Sequence, residues 1–463
     1  MCEKCHAGAC HANRLYVWPM SDNAERPTPP SSVYSWYVVG VLMLANISAF
    51  VDRQILGVLV TPIKRDFAIT DAQMSYLSAA FAIFFAVMGL PIARLAGRIG
   101  RRNVMAAGVT LWSVFTVLCA TARTYGRLFT MRIGVGVGEA SLNAPGLSLI
   151  ADYFPRERLG RAMSVYQLGI FFGSGVGYFL GGWISQLTRV SDMWTLPVLG
   201  EIRPWQSAFV VAGLPGFLVA LLFLTVREPA RKQTVAESSF GALRAHFARH
   251  PRTYFTHTIG FASYSVVNFG LAFWIPTFFQ RTYGWDPAAA SRVQGLLTMS
   301  IGVGGALSGG FMTDWFVRRG RSDGPMRVGL LAAIGMLVTA TSFPLMPTPT
   351  AAIVCLAVMN VFAAAPWGAA SAALASVTPA PLRAQAAAVF FMLLGTIGGM
   401  GGPVVVAQLT DHVFGVDGVR YSISLTAIVG MSIAVALLAA GLGSFRASLA
   451  REETKTSNAA GTT

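Results

Sequence analysis

Along most of the chain, apolar runs about twenty residues long alternate with short clusters of Arg, Lys, Asp, Gly and Pro. Read one by one as membrane crossings, the runs fall near 35–60, 72–95, 102–122, 126–151, 160–187, 205–226, 253–280, 289–313, 327–346, 350–376, 384–410 and 419–444. The pattern predicts an all-α membrane protein of twelve transmembrane helices, because a helix satisfies its own backbone hydrogen bonds in lipid. The longest polar stretch between runs, Arg227 to Arg252, follows the sixth and contains Arg231, Lys232, Arg244, His246, Arg249 and His250. It separates an N-terminal six-helix bundle at 35–227 from a C-terminal one at 253–446, with a link at 228–252 and tails at 1–34 and 447–463.

An even number of crossings leaves both termini on one side. With that side taken as inside, the inner tails and loops carry most of the Lys and Arg and the outer loops carry few. This bias predicts cytoplasmic termini in the cell's inner (plasma) membrane. Dropping one span would invert half the loops and erase the asymmetry, so the charges also support the span count. Composition agrees: 54% of residues are hydrophobic and 12% charged, against about 25% charged in soluble domains. A net charge of +15 would suit nucleic acid only if it were gathered into a patch or tail; spread between apolar runs, it excludes that partner. Residues 1–34 are polar and no small-residue cleavage site follows the first apolar run, which is expected to stay as an anchor.

Within the fourth span, Arg132 and Glu139 stand seven residues apart with Gly134, Gly136 and Gly138 between them. Two helical turns place both on one face, roughly 10 Å apart along the axis. Ionised groups at mid-bilayer cost at least about 2.5–3.5 kcal/mol each, so this face is expected to meet a bundle interior or water-filled cavity. The glycines let a neighbouring backbone approach or leave open volume. Asp52 and Arg53 lie midway along the first span at a matching depth. Two carboxylates and two guanidiniums then form a set without net charge. Arginine stays protonated, which leaves Asp52 and Glu139 as proton carriers, while Arg53 and Arg132 offer a fork of donors to an anionic headgroup. The competing account is a fixed structural pair, since adjacent helical residues point about 100° apart.

Deep within the C-terminal spans there is no Asp, Glu, Lys or Arg; the polar or aromatic candidates are Tyr264, Asn268, Trp274, Asn360 and Trp367. One charged wall and one apolar, aromatic wall suit an amphipathic solute, headgroup toward the N-terminal half and tail along the other. Taken singly, each of these five is better explained by helix packing; the reading rests on the asymmetry between the halves.

The halves also repeat a basic turn. Ala93-Arg94-Leu95-Ala96-Gly97-Arg98-Ile99-Gly100-Arg101-Arg102 follows the second span, and Gly310-Phe311-Met312-Thr313-Asp314-Trp315-Phe316-Val317-Arg318-Arg319 follows the eighth. These turns resemble the signature loops of the major facilitator superfamily, Gly-x-x-x-Asp followed by Arg or Lys. The resemblance implies the major facilitator fold, two pseudosymmetric six-helix bundles, and a gating role for Arg98, Arg101, Arg102, Asp314 and Arg318 at the cytoplasmic side. The N-terminal copy departs from the pattern, with Ala93 for the glycine and Gly97 for the aspartate. A solvated positive-inside anchor explains its arginines equally well.

A narrower resemblance, to the spinster group, rests on Asp52-Arg53, Arg132 to Ala140, Asp152-Tyr153-Phe154-Pro155, Trp274-Ile275-Pro276 and Gly401-Gly402-Pro403. It implies transport of lysophospholipids or sphingoid phosphates, often coupled to protons; bacterial sequences of this type also resemble carriers of organic anions and sugar acids. In the fifth span, Gly173 to Gly182 resembles the superfamily's antiporter signature, but Tyr178 stands where that signature has proline. Close helix packing accounts for the same glycines.

No phosphate-cradling glycine-lysine loop is present, so nothing supports an ATP-driven pump, and no motif points to an enzyme. His246, His250, His257 and His412 read as scattered and without ligand spacing. Cys119 and Cys355 stand alone in apolar runs as core thiols. Cys2, Cys5 and His6 have haem-attachment spacing and Cys10-His11 adds soft ligands, yet a cytoplasmic tail is the wrong side for haem, and Met20 as the natural start accounts for the stretch. Neither metal nor cofactor is therefore expected. The sequence predicts a monomeric secondary active transporter, proton-coupled, moving an amphipathic anionic lipid by alternating access, its partners being substrate, protons and membrane lipid. The rivals are a proton-coupled carrier of small organic anions or sugar acids and, from a different class, a lipid-sensing membrane receptor.

Overall fold

The computed structural model of the chain describes residues 32–154, 156–187, 193–196, 200–229, 240–379 and 382–460. Cys2, Cys5, Cys10 and Met20 lie outside them. Among the described residues, eleven helices are long and apolar enough to cross a membrane: Ser32–Val58, Asp71–Ile99, Arg101–Cys119, Arg161–Gln186, Pro204–Thr225, Pro251–Tyr283, Pro287–Arg318, Gly324–Leu345, Pro349–Ser376, Gln385–Phe414 and Val416–Glu452. Polar caps start several of them. Thr70 and Gln73 form a capping box at the second, and the side chains of Asp286 and Thr348 accept from the first turns of the eighth and tenth.

The fourth crossing completes the set of twelve expected from the apolar pattern, but it is not one helix. Tyr125–Glu139 stops at the glutamate, and Asn143–Tyr153 resumes after a turn at 140–142. Pro145 has no N–H to give the Ser141 carbonyl, and the chain tightens there: Ser141 N–H donates to the Gly138 carbonyl and Leu142 N–H to that of Glu139, both at 3.1 Å. The glycines ahead of the break are pressed against their neighbours. A Cβ on Gly136 would lie 2.5 Å from the Phe81 carbonyl oxygen of the second span, and one on Gly138 2.6 Å from the Trp112 nitrogen of the third.

Two more prolines open helices, and each freed carbonyl finds a tyrosine. Pro276 cannot donate to Ala272, four residues back, and the Tyr178 hydroxyl donates to that carbonyl at 2.6 Å. Pro366 likewise leaves the Phe362 carbonyl, which accepts from the Tyr264 hydroxyl at 2.6 Å.

The crossings alternate, so each helix has a near end, on the side where Ser32 begins, and a far end. At the interface between halves the first span packs on the seventh, the second on the eleventh and the fifth on the eighth, with Gly57 against the Phe273 backbone, Gly399 toward Ala82, and Gly182 against Ala288 and Ser291. Lipid-facing surfaces are apolar: Leu214, Leu218, Leu221 and Leu224 form an exposed row on the sixth. Two departures from the expected plan concern the connections. A small antiparallel hairpin, Trp194–Leu196 with Gly200–Ile202, follows the fifth span. The link holds a helix, Phe240–Arg249, whose Leu243 and His246 are buried, and the last helix runs on through the expected tail as Val419–Ala460.

Candidate functional site

The first span brings Asp52 and Arg53 against the first half of the fourth. Arg132 and Glu139 share a face, but each takes its partner from the first span. Arg132 Nη1 donates to Asp52 Oδ2 at 2.8 Å, and Arg53 donates through Nε and Nη2 to Glu139 Oε2 at 2.8 and 2.6 Å. Adjacent positions 52 and 53 diverge as helical geometry requires, and the two arginines of the set therefore serve two separate carboxylates.

The two pairs differ in environment. Asp52 and Arg132 are both buried, and Asp52 accepts a second hydrogen bond from Thr116 Oγ1 at 3.2 Å. Glu139 is fully buried, yet its Oε1 has no hydrogen-bond partner. Arg53 alone reaches the edge of the set, with 21% of its side chain exposed. Three rings hold its guanidinium, Phe50 at 4.7 Å, Phe85 at 4.8 Å and Phe81 at 5.0 Å, and Phe81 lies 5.2 Å from Arg132 as well. Arg53 is thus the most accessible member of the set, and among the described residues it is the one hydrogen-bond partner of the Glu139 carboxylate.

The C-terminal residues proposed for a substrate wall separate. Tyr264 is buried and pinned to the Phe362 carbonyl; Trp274 is fully buried and donates Nε1 to the Pro403 carbonyl at 3.0 Å. Asn360 is buried and donates to its own helix at Leu356. Tyr264 and Trp274 tie helices together, and Asn360 spends its amide within its own helix. Asn268 and Trp367 are half-buried, with Trp367 edge-on to Phe269.

Of the five proposed gating residues, Arg98, Asp314 and Arg318 are exposed and, among the described residues, form no ion pair, and Arg102 is only partly buried. Arg101 is buried instead and ties three segments at the near end. It donates to Asp152 at 2.5 Å, to Ser148 at 2.9 Å, and to Glu228 from Nε at 3.2 Å and from its backbone N–H at 2.9 Å. Burial works to raise the Glu228 carboxyl, but hydrogen bonds from Arg101 and Arg102 outweigh it and hold the group below the ordinary glutamate value.

An ion network that the sequence reading missed closes the far end between the halves. Asp71, fully buried at the start of the second span, receives Arg281 of the seventh through Nη1 at 2.5 Å and Nη2 at 2.8 Å, and Lys64 from the same half. Asp411 of the eleventh accepts from the Asp71 and Ala72 backbone N–H groups at 3.3 and 2.6 Å, where the helix N-terminus favours an anion. Thr61 donates to Gln280, and Gln408 to the Tyr76 hydroxyl, both at 2.8 Å. These hydrogen bonds between the halves lie at the far end. In sequence these charges stand at span boundaries, where solvated loop residues are the norm; only helix order brings residues 71, 281 and 411 together.

Comparison with known proteins agrees with this architecture. The Major Facilitator Superfamily profile matches residues 42–403. The chain is 26% identical over 346 residues to "Protein spinster" of Drosophila melanogaster, a match covering 70% of this chain and 54% of that protein, so it spans about half the length of that curated relative. It is 30% identical over 305 residues to an "MFS-type efflux pump" of Mycolicibacterium smegmatis, 65% of this chain and 66% of the other. Among solved structures, a bacterial homologue of the human lysosomal transporter Spinster, in an inward-facing and unoccupied conformation, superposes with a TM-score of 0.76 at 25% identity, covering 91% of this chain and 98% of that one.

Proposed function

The chain belongs to the Major Facilitator Superfamily, and from that premise we propose that it is a proton-coupled secondary transporter carrying an amphipathic anionic lipid, a lysophospholipid or sphingoid phosphate, by alternating access. The observation that carries this reading is the asymmetry of the buried charge set: one cation at its edge, Arg53, whose one ionic partner among the described residues, Glu139, is fully buried. A phosphate or carboxylate entering the site competes for the Arg53 fork. Once Arg53 turns to the substrate, Glu139 is left as an unpaired buried carboxylate, a state too costly to remain charged. It takes up a proton, and substrate and proton are linked through one guanidinium. Asp52 keeps Arg132 and Thr116 throughout, so it holds Arg132 in place while Glu139 cycles.

With Tyr264, Trp274 and Asn360 engaged in packing, the C-terminal wall is more apolar than its composition suggests, which suits an acyl tail. The similarity to proteins named for spinster is in line with the sequence resemblance from which this substrate class is inferred. The basic near end is the cytoplasmic side of the inner membrane, and the far-end network seals the outer side in this conformation. The protein works as a monomer.

Flux of labelled lysophospholipid into proteoliposomes under an imposed proton gradient tests the proposal. Wild type accumulates the lipid; Glu139→Gln loses gradient-driven accumulation but retains exchange of lipid across the membrane. Transport of small organic anions without lysophospholipid would overturn the lipid assignment, and saturable binding without any flux would point to a receptor.

A further inference from the structure

Away from the transport path, at the near end, the link meets the end of the last helix. His246 lies on the helix Phe240–Arg249, and His250 stands four residues later at the start of Pro251–Tyr283. That spacing places both rings on one side of the chain, contrary to the reading of the histidines as scattered. The extended last helix brings Glu452 against them. One ring nitrogen of each histidine and one carboxylate oxygen of Glu452 lie within 4.8 Å of one another, His250 Nε2 being 3.5 Å from Glu452 Oε1. Both histidines are buried, at 4% and 5% exposure, and Glu452 retains 18% of its side-chain surface, a path by which an ion can enter.

One nitrogen of each ring is held by a hydrogen bond. His246 Nε2 faces the Val377 carbonyl at 3.1 Å and the Tyr254 hydroxyl at 2.9 Å. The carbonyl can only accept, so Nε2 carries the proton and Nδ1 keeps its lone pair. Tyr254 donates onward to Thr378 Oγ1 at 2.8 Å, and Thr378 to the Leu374 carbonyl at 2.7 Å. His250 Nδ1 faces Ser448 Oγ at 3.0 Å, which leaves Nε2 toward Glu452. An imidazole whose second nitrogen is held by a carbonyl or hydroxyl is the arrangement that orients metal-binding histidines.

We propose that His246, His250 and Glu452 form a site for a borderline divalent transition-metal ion, zinc foremost, which fastens the helical part of the link to the end of the last helix. Two imidazoles and one carboxylate match zinc and its neighbours, whereas magnesium and calcium take oxygen ligands. Bond lengths of about 2.0–2.2 Å in a tetrahedral site place ligand atoms roughly 3–3.5 Å apart; the His250–Glu452 pair already stands at 3.5 Å, and the other separations, within 4.8 Å, close by side-chain adjustment when the ion binds. The ion would bind both ends of the C-terminal half's cytoplasmic face to the link, independently of substrate.

Zinc binding to the full-length protein in detergent tests the site, with Cys2, Cys5 and Cys10 changed to Ser to remove the other soft ligands. Competition with a chromophoric chelator should give one equivalent of zinc. Cobalt substitution should give a visible spectrum of nitrogen and oxygen ligation without a thiolate charge-transfer band. His246→Gln, His250→Gln and Glu452→Gln should each lower zinc affinity by about tenfold or more and abolish the zinc-induced rise in melting temperature, with elution profiles unchanged, while His412→Gln, at the exposed far end, should do neither. Zinc affinity unchanged in all three variants, or magnesium displacing zinc at equal concentration, would overturn the site. Transport of lipid is not a readout here, so failure of this proposal leaves the transport reading untouched, and the reverse.

Discussion

Glu139 and Asp52 carry the same charge in the same buried set, yet their neighbours give them different tasks. Asp52 is held by Arg132 and Thr116, both buried. Asp52→Asn would strand the Arg132 charge and is expected to cost about 3–5 kcal/mol, read as a lower melting temperature in detergent; adding Arg132→Met should recover much of the loss. Glu139→Gln should leave the melting temperature close to wild type and remove only the dependence of flux on the proton gradient. Glu228 offers a pH test outside the spans. Its folded carboxyl lies below the ordinary value of 4.5 because hydrogen bonds from Arg101 and Arg102 overcome the effect of burial. A lowered folded pKa stabilises fully above the unfolded value and is lost as pH falls through the folded one. The stability gap between wild type and Glu228→Gln should be constant at neutral pH and shrink as pH drops below 4.5.

At the scale of elements, prolines decide where the helices open and tyrosines decide what those openings cost. Tyr178→Phe removes the donor to the Ala272 carbonyl, leaving a buried acceptor unsatisfied at about 1–3 kcal/mol. Pro276→Ala restores an N–H four residues from Ala272, so in that background Tyr178→Phe should be nearly neutral; a double-mutant cycle on melting temperature measures the difference. Because Tyr178 and Ala272 belong to different halves, the same bond also links the halves. The break after Glu139 has a related consequence. Ending a helix at the carboxylate puts Glu139 beside the turn 140–142 rather than inside a rigid rod, and Gly136 keeps that rod flush with the second span. Gly136→Ala would force a Cβ to 2.5 Å from the Phe81 carbonyl oxygen and should displace Phe81, which packs on both arginines of the set.

For the whole molecule, the far-end network is the contact that the proposed alternating access would have to break. Asp71 is fully buried only while Arg281 faces it from the other half, so separating the halves must rehydrate both charges. Arg281→Gln removes the attraction across the interface and should shift the population toward far-end opening. Spin-label distances across the near ends should then shorten relative to wild type, and those across the far ends lengthen. A protein that stays in the same distance distribution after this change does not depend on the network for closure.

Local free energy made part of this legible in the sequence. Twelve apolar runs had to be buried in lipid or protein, the polar link had to fall outside them, and Asp52, Arg53, Arg132 and Glu139 had to share an interior, since no ionised group in a span tolerates lipid. Pairing was a different matter. Which arginine meets which carboxylate depends on how the first and fourth helices are rotated against each other, and that rotation is set by contacts such as Gly136 on Phe81 and Gly138 on Trp112, which involve residues far apart in the chain. The same holds for Tyr264 and Trp274, whose polar tips looked available for substrate until carbonyls of distant helices claimed them. Asp71, Arg281 and Asp411 are ordinary boundary charges along the sequence, and long-range packing alone brings them together; His246 and His250 are neighbours by their spacing, and only the fold carries Glu452 to them. Sequence by itself determined which residues must be interior, because burial is a property each residue carries along its own helix, and tertiary structure decided their partners, because partnership belongs to pairs of helices.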